Sequence, residues 1–370
     1  MSAGKVLVVG GGIAGLSTAW GLARRGFAVE LFEQGALPCS KASSYDEHRI
    51  IRNAYGEMEG YADLMPAAFS LWAALWAAIG VSHYEAMPAV YVMRGESDWY
   101  ETTRRSMARL GVECEDVPID AAMARYPMVN PDGVTRVVRT GGAGILYPIR
   151  ILTDLVTLIA GLGVVLHPDT LVESVDLEAG SVRTAAGVIK GDAVVVTAGA
   201  WVNRLVASTI GVAVPSRQAV MFLAPPPRLA SAWRAAPVLI DIGADSGTYT
   251  LPPRAGTRLK IGDHQFTRRG DPDEDRVGSD ADVARLGAAA RRAWRDFDDY
   301  TVLERKACFY TVTADERFLV RREGARGWLG SACSGHGFKL GPLIGDGIAG
   351  AIAGERTAVA LTVWAAGRAA

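Results

Sequence analysis

The chain has 370 residues, 49% of them apolar and 21% charged, with a formal net charge of −1. That balance suits a globular enzyme built as one large or two interleaved domains. It offers neither a basic surface for nucleic acid nor an acidic arm. Cys39, Cys114, Cys308 and Cys333 lack C-x-x-C spacing, so no structural zinc or disulfide framework is expected, and a reducing cytoplasm is the expected setting. No basic and apolar leader precedes Lys5, so no secretory signal is expected. The most apolar run, PAAFSLWAALWAAIG, reads as three to four turns of helix, short of the roughly 20 residues that span a bilayer. No metal site is expected.

The first element is a short β-branched run, Lys5–Val9, the pattern of a buried parallel strand. Gly10, Gly12 and Gly15 follow, inside GGGIAG, then LSTAWGLARRG with apolar residues at helical spacing, then the strand AVELFE ending on Glu33. Strand, glycine turn, helix, strand and an acidic residue about 20 positions on form the full context of a dinucleotide-binding unit. Gly10 permits the tight turn, Gly12 lets backbone approach a pyrophosphate, and Gly15 lets helix and strand close up. Free amides and the dipole at the helix start attract the phosphates. Glu33 is placed to accept the adenosine ribose hydroxyls. The unit alone does not separate NAD from FAD.

After Glu33 the strand–helix alternation breaks into a long polar segment, GALPCSKASSYDEHRIIRNAYGE. Within it Arg49 and Arg52 sit three apart, which on a helix puts them on one face. A strand returns at Ala193–Val196, followed by a Thr-Ala-Gly turn and a helix beginning near Trp201. Between 216 and 324, PVLIDIG, GTYTLPP, RLKIGDHQF and TVLERKACFYTVT are short alternating runs suited to an antiparallel sheet, with DADVARLGAAARRAWRDF as an amphipathic helix among them. Lys260 and His264 are both even-numbered, so in a strand they share a face. By its apolar strand alone, Cys308 reads as an inert core residue. GWLGSACSGHGFKLGPLIGDGIAGAIAG closes the chain with a strand, a glycine-rich turn and a helix of small residues.

Taken together, GGGIAG, RIIRNAYGE (49–57), KIGDH (260–264), KACFYTVTADERF (306–318) and SGHGFK (334–339) resemble the sarcosine oxidase group of D-amino-acid-oxidase-type flavoproteins. The resemblance runs from about residue 5 to 354. It implies a mixed α/β fold: a Rossmann-type FAD-binding domain (1–80, 145–215, 325–370) interleaved with an antiparallel-sheet substrate domain (81–144, 216–324). It implies FAD held by Gly10, Gly12, Ile13, Ala14, Gly15 and Glu33, by Ser43, Ser44, His48 and Arg49, by Val172, Ala198, Gly199 and Trp201, and by Gly335, His336, Gly337 and Lys339. Cys308 matches the cysteine bonded through sulfur to the 8α carbon of the flavin. Lys260 matches the lysine at which dioxygen is activated, and His264 a histidine of the substrate pocket. Arg52 and Lys339 match the ligands of the substrate carboxylate, Tyr61, Tyr249 and Tyr310 an aromatic cage, and Ile240 a pocket methionine.

The implied activity is oxidation of a small secondary-amine amino acid by dioxygen, with peroxide released, by a monomer that needs no membrane or nucleic acid. The alternative is a flavin dehydrogenase serving a quinone or carrier protein. One departure stands out. Where the group writes Gly-x-Thr-Arg before the first arginine, this chain has Ser44-Tyr45-Asp46-Glu47-His48-Arg49. Three ionisable residues therefore enter a segment expected beneath the flavin.

Overall fold

The computed structural model describes residues 4–95 and 97–368. Lys5–Val9 lies in the middle of a six-stranded sheet. Ala28–Phe32 and then Val165–His167 lie to one side; Ala193–Val196, Gly327–Ser331 and Leu319–Glu323 lie to the other. All neighbours run parallel except the outermost pair, Leu319–Glu323 with Gly327–Ser331. Val6, Leu7 and Val8 are almost fully buried, as a sheet covered on both faces requires.

Helices Ile13–Arg24 and Gly337–Ile352 pack together on this sheet, and glycines set how closely. A Cβ on Gly345 would lie 2.6 Å from that of Ser17, and one on Gly341 2.5 Å from Ile13 Cγ1. The small residues of the last helix are thus an interface that larger side chains would wedge apart.

The second layer is an eight-stranded sheet, ordered Thr301–Val312, Val214–Ala224, Leu259–Asp263, Thr248–Leu251, Val238–Ile242, Ala89–Arg94, Val134–Thr140 and Cys114–Val117. Its pairs are antiparallel, as the alternating runs predict, apart from Val238–Ile242, which runs parallel to Ala89–Arg94. Helix Asp280–Ala293 covers one face. It starts at a capping box in which the Ser279 hydroxyl accepts the Asp282 amide at 3.1 Å while the Asp282 carboxylate accepts the Ser279 amide at 2.9 Å.

Two local expectations are corrected. Arg49–Ile51 is a strand, paired antiparallel with Gly144–Leu146, because those residues find a partner some 95 positions away instead of closing a helical turn. The apolar run belongs to a longer helix, Glu59–Ile79, of 21 residues. By length and composition that helix suffices to cross a membrane. One of its faces, with Tyr61, Met65, Trp72 and Leu75, is buried in the main core, and the Trp72 indole N–H donates to the Lys339 carbonyl at 2.8 Å.

Candidate active site

A cavity of about 780 Å³ opens where the parallel strands end and runs to the face of the second sheet, the place where α/β sheets bind ligands. Its near end is shaped by backbone. Gly10 has φ +107°, and a Cβ on Gly15 would sit 1.8 Å from the Gly10 carbonyl oxygen, so neither position accepts a side chain. Helix Ile13–Arg24 starts at Gly12 with no side-chain cap on its first turn from the cap residue and no acidic residue there. The Ile13 amide is met by the Ser44 hydroxyl at 3.1 Å. Glu33 is buried, and its carboxylate accepts the Gly11 amide at 2.8 Å and the Gly35 amide at 3.1 Å.

Of the residues expected to hold FAD, Gly10, Gly12, Ile13, Ala14 and Glu33 line this end. Ser43, Ser44, Arg49, Val172, Ala198, Gly199 and Trp201 also line the cavity. Gly335, His336, Gly337 and Lys339 form the far wall, where helix Gly337–Ile352 also begins without a side-chain cap. The turn leading into that helix holds Ala332, Ser334 and Gly335 at positive φ. A glycine cradle, a buried acid at the strand end and two helix starts facing one elongated cavity fit FAD.

Gly15 and His48 do not line the cavity: Gly15 acts through closeness of backbone, and His48 is fully buried behind it. Burial, aided by Lys260, drives the His48 imidazole down to about 3, so it is neutral at pH 7. Cys308 is also off the cavity wall. It shares a strand face with Lys306, whose ammonium donates to the Tyr45 carbonyl at 3.0 Å, and with Tyr310, whose hydroxyl accepts Arg49 at 3.1 Å. Its half-buried thiol therefore faces the 45–49 segment. Burial pushes it up, partly offset by Arg49.

At the second sheet, Tyr249, Tyr310, Ile240, Lys260 and His264 line the cavity with Arg52 and Lys339. The latter two cations define an anion-binding corner. Lys339 is buried, and among the described residues its ammonium has one partner, the Tyr55 hydroxyl at 3.3 Å, above whose ring it also lies at 4.8 Å. Burial, then the charge of Arg52, presses its pKa well below the usual lysine value. Arg52 Nη1 is buried without a hydrogen-bond partner, and the guanidinium stands 5.4 Å from the same tyrosine ring. No carboxylate pairs with either cation among the described residues. His264 is exposed at the wall of the same cavity, its ring 5.5 Å from that of Tyr249. Desolvation against the cavity wall, then the charges of Arg52 and Lys339, hold it below the usual histidine value.

Tyr61 does not reach the cavity. Its hydroxyl accepts the Phe318 amide at 2.8 Å and its ring packs on His336 and Phe318. The tyrosine at the anion corner is Tyr55, which sequence reasoning did not select. Its only signal is a position three residues after Arg52. Sequence reasoning also left Asp46 without a role, yet its carboxylate lies 2.8 Å from Lys260 Nζ.

The FAD dependent oxidoreductase family model matches residues 5–351 of the chain. The peroxisomal sarcosine oxidase of Homo sapiens is 28% identical over 355 residues, spanning 92% of this chain and 89% of that protein. The monomeric sarcosine oxidase of a Bacillus species is 26% identical over 358 residues, spanning 92% and 90%. Among solved structures, L-proline dehydrogenase from P. horikoshii superimposes with a TM-score of 0.83 over 98% of this chain and 96% of that one. At 19% identity that last likeness is one of fold.

Proposed function

The chain belongs to the FAD-dependent oxidoreductases and is of the sarcosine oxidase type, and from that premise we propose that it oxidises the C–N bond of a small secondary-amine amino acid, with dioxygen as electron acceptor. The substrate class is an N-methyl or cyclic imino acid. The observation that carries this reading is the pair of cations, buried Lys339 and half-buried Arg52, meeting at Tyr55 with no carboxylate partner among the described residues. A carboxylate held there gains the fork of Arg52 and the point charge of Lys339 in a site with little water, where charge-assisted bonds are strongest.

With the carboxylate fixed in that corner, the amine end of so small a molecule lies among Tyr249, Tyr310 and His264. His264 lines the pocket at that end and tunes how the amine binds; the nitrogen reacts as the neutral amine, with its lone pair free. Arg49 orients the Tyr310 hydroxyl while its other arm grips the Ser43 carbonyl at 2.7 Å. The aromatic rings exclude water from the reacting C–H. FAD, when bound, supplies the two-electron acceptor for that C–H and the link to dioxygen. Lys260 presents a positive charge where oxygen gains its electrons. The product imine is hydrolysed by water. Cys308, on the strand face that meets the 45–49 segment, is the proposed covalent tether for FAD.

The test is an aerobic and anaerobic screen of FAD-loaded protein with N-methyl and cyclic amino acids. Bleaching of the visible spectrum without air, and peroxide equal to oxygen consumed with air, are the expected results. Bleaching without peroxide assigns the electrons to another acceptor, as a dehydrogenase requires. No bleaching by any amine overturns the reading.

A further inference from the structure

Asp46 and Glu47, in the Asp46-Glu47-His48 stretch that departs from the family pattern, are both tied to the start of one strand of the second sheet, Leu259–Asp263. Glu47 accepts the Arg258 amide at 2.9 Å and its Nε at 2.7 Å. Two residues on, on the same face, Lys260 donates from Nζ to Asp46 Oδ2 at 2.8 Å and to the His48 carbonyl at 2.7 Å. The other Asp46 oxygen accepts the Glu47 amide at 2.8 Å. Lys260 is 0% exposed and Asp46 4%, so neither charge is hydrated. An ammonium carries three donors; two are spent on the 46–48 segment. The third has no partner among the described residues, and Lys260 lines the cavity.

We propose that Asp46 is a positioning residue for Lys260: it supplies the counter-charge that keeps the buried ammonium charged and, with the His48 carbonyl, leaves one N–H of Lys260 for the cavity. The surrounding charges show why a counter-ion is needed there. Arg49 stands 3.3 Å from the same Asp46 oxygen, Lys306 anchors on Tyr45 next door, and the nearby His48 and Cys308 offer no negative charge in their neutral forms. Without Asp46, two buried cations would face each other unbalanced, and lysine is the one able to shed its proton. Burial already lowers Lys260 to about 8, with Asp46 pulling it back up. Burial works against the charge on Asp46, but Lys260 and Arg49 hold its carboxyl below the usual carboxylate range.

The inference rests on the reading that Lys260 serves the oxygen half of the reaction, and its test separates the two. The chain has six lysines, so ε-13C-lysine NMR of the apoprotein resolves each, with Lys260→Arg identifying the signal. The Lys260 midpoint is expected to fall by at least about one pH unit in Asp46→Asn; an unchanged midpoint overturns the proposal. Asp46→Glu keeps the charge but lengthens the arm, and covers the case in which Asp46→Asn does not fold. It should leave the midpoint near that of wild type while slowing reoxidation of the reduced holoprotein by dioxygen several-fold. An unaltered rate removes the positioning role. In the holoprotein the reoxidation rate should lose its plateau at lower pH in Asp46→Asn and become flat with pH in Lys260→Arg. If the NMR midpoint moves while reoxidation ignores every Lys260 variant, the role given to Lys260 fails and the charge pairing by Asp46 stands.

Discussion

Glu33 Oε2 accepts the amide of Gly11 at 2.8 Å, linking the end of the second parallel strand to the turn after the first. The other oxygen holds the Gly35 amide, so this carboxylate shapes the turn while facing the cavity. Glu33→Gln can satisfy only one of the two amides with its oxygen and turns an NH2 toward the other. Hydrogen bonds to charged groups contribute about 1.5–3 kcal/mol, so FAD affinity should fall roughly 10- to 100-fold. Fluorescence titration of apoprotein, made in a Cys308→Ser background so that binding is reversible, reads the effect. Equal affinities would remove Glu33 from the binding site.

The two cations at Tyr55 share one proposed ligand, which fixes how their variants combine. Arg52→Met and Lys339→Met should each raise KM for an N-methyl amino acid on the order of 100-fold. Because both act on one carboxylate, the double variant should cost less than the product of the singles. Inhibition by a simple short-chain carboxylate should weaken in parallel. A lower kcat at unchanged KM would place the carboxylate elsewhere.

What the sequence discloses about this molecule follows the range of the interactions involved. Gly10, Gly15 and Glu33 are legible because their reasons are local: a turn, a close approach, an acid at a fixed offset. Lys260 is legible through strand alternation; His264 also lines the cavity, but it stands one residue past the end of the strand Leu259–Asp263, so alternation does not place it. Arg49 and Arg52 mislead because their three-residue spacing suits a helix, whereas Arg49–Ile51 joins a distant strand. In an extended strand residues three apart point to opposite faces, and the two arginines reach one cavity only because the strand ends at Ile51. Tyr55 and Tyr61 cannot be told apart from their residue type. One hydroxyl meets Lys339, 284 positions away, and the other is taken by the Phe318 amide. The partnership of Asp46 with Lys260, 214 positions apart, leaves no periodic trace. Helix Glu59–Ile79 outruns its apolar stretch because its first turns, EGYADLM, mix polar residues with Tyr61, Leu64 and Met65, which bury on the same helix, and it stops at Gly80, which adopts φ +79°.

The covalent tether has a direct readout. Loaded wild-type protein precipitated with acid should keep its yellow colour in the pellet, and Cys308→Ser should release it to the supernatant. Cys39→Ser, Cys114→Ser and Cys333→Ser should behave as wild type. Colour in the wild-type supernatant would return Cys308 to the role of a core residue on its strand.

His48 gives the fold an acid limit whose sign is set by burial. In the unfolded chain its imidazole titrates near 6.5; in the fold, burial first and Lys260 second lower it to about 3. Between those values the unfolded chain binds a proton that the native protein refuses, so stability rises with pH across the window. The contribution is complete above pH 6.5 and is lost as pH falls toward 3. At 1.36 kcal/mol per pH unit, the loss between pH 7 and 4.5 is on the order of 2–3 kcal/mol for this residue alone. His336, lowered by burial, acts in the same direction. His48→Phe keeps a neutral ring in the same space and leaves the His48 backbone carbonyl for Lys260. Urea unfolding of apoprotein, followed by tryptophan fluorescence at pH 7 and 4.5, should show a difference smaller by about 2 kcal/mol in the variant. Equal differences in the two proteins would mean that the native state already accommodates a charged His48 and that the acid limit lies with other groups.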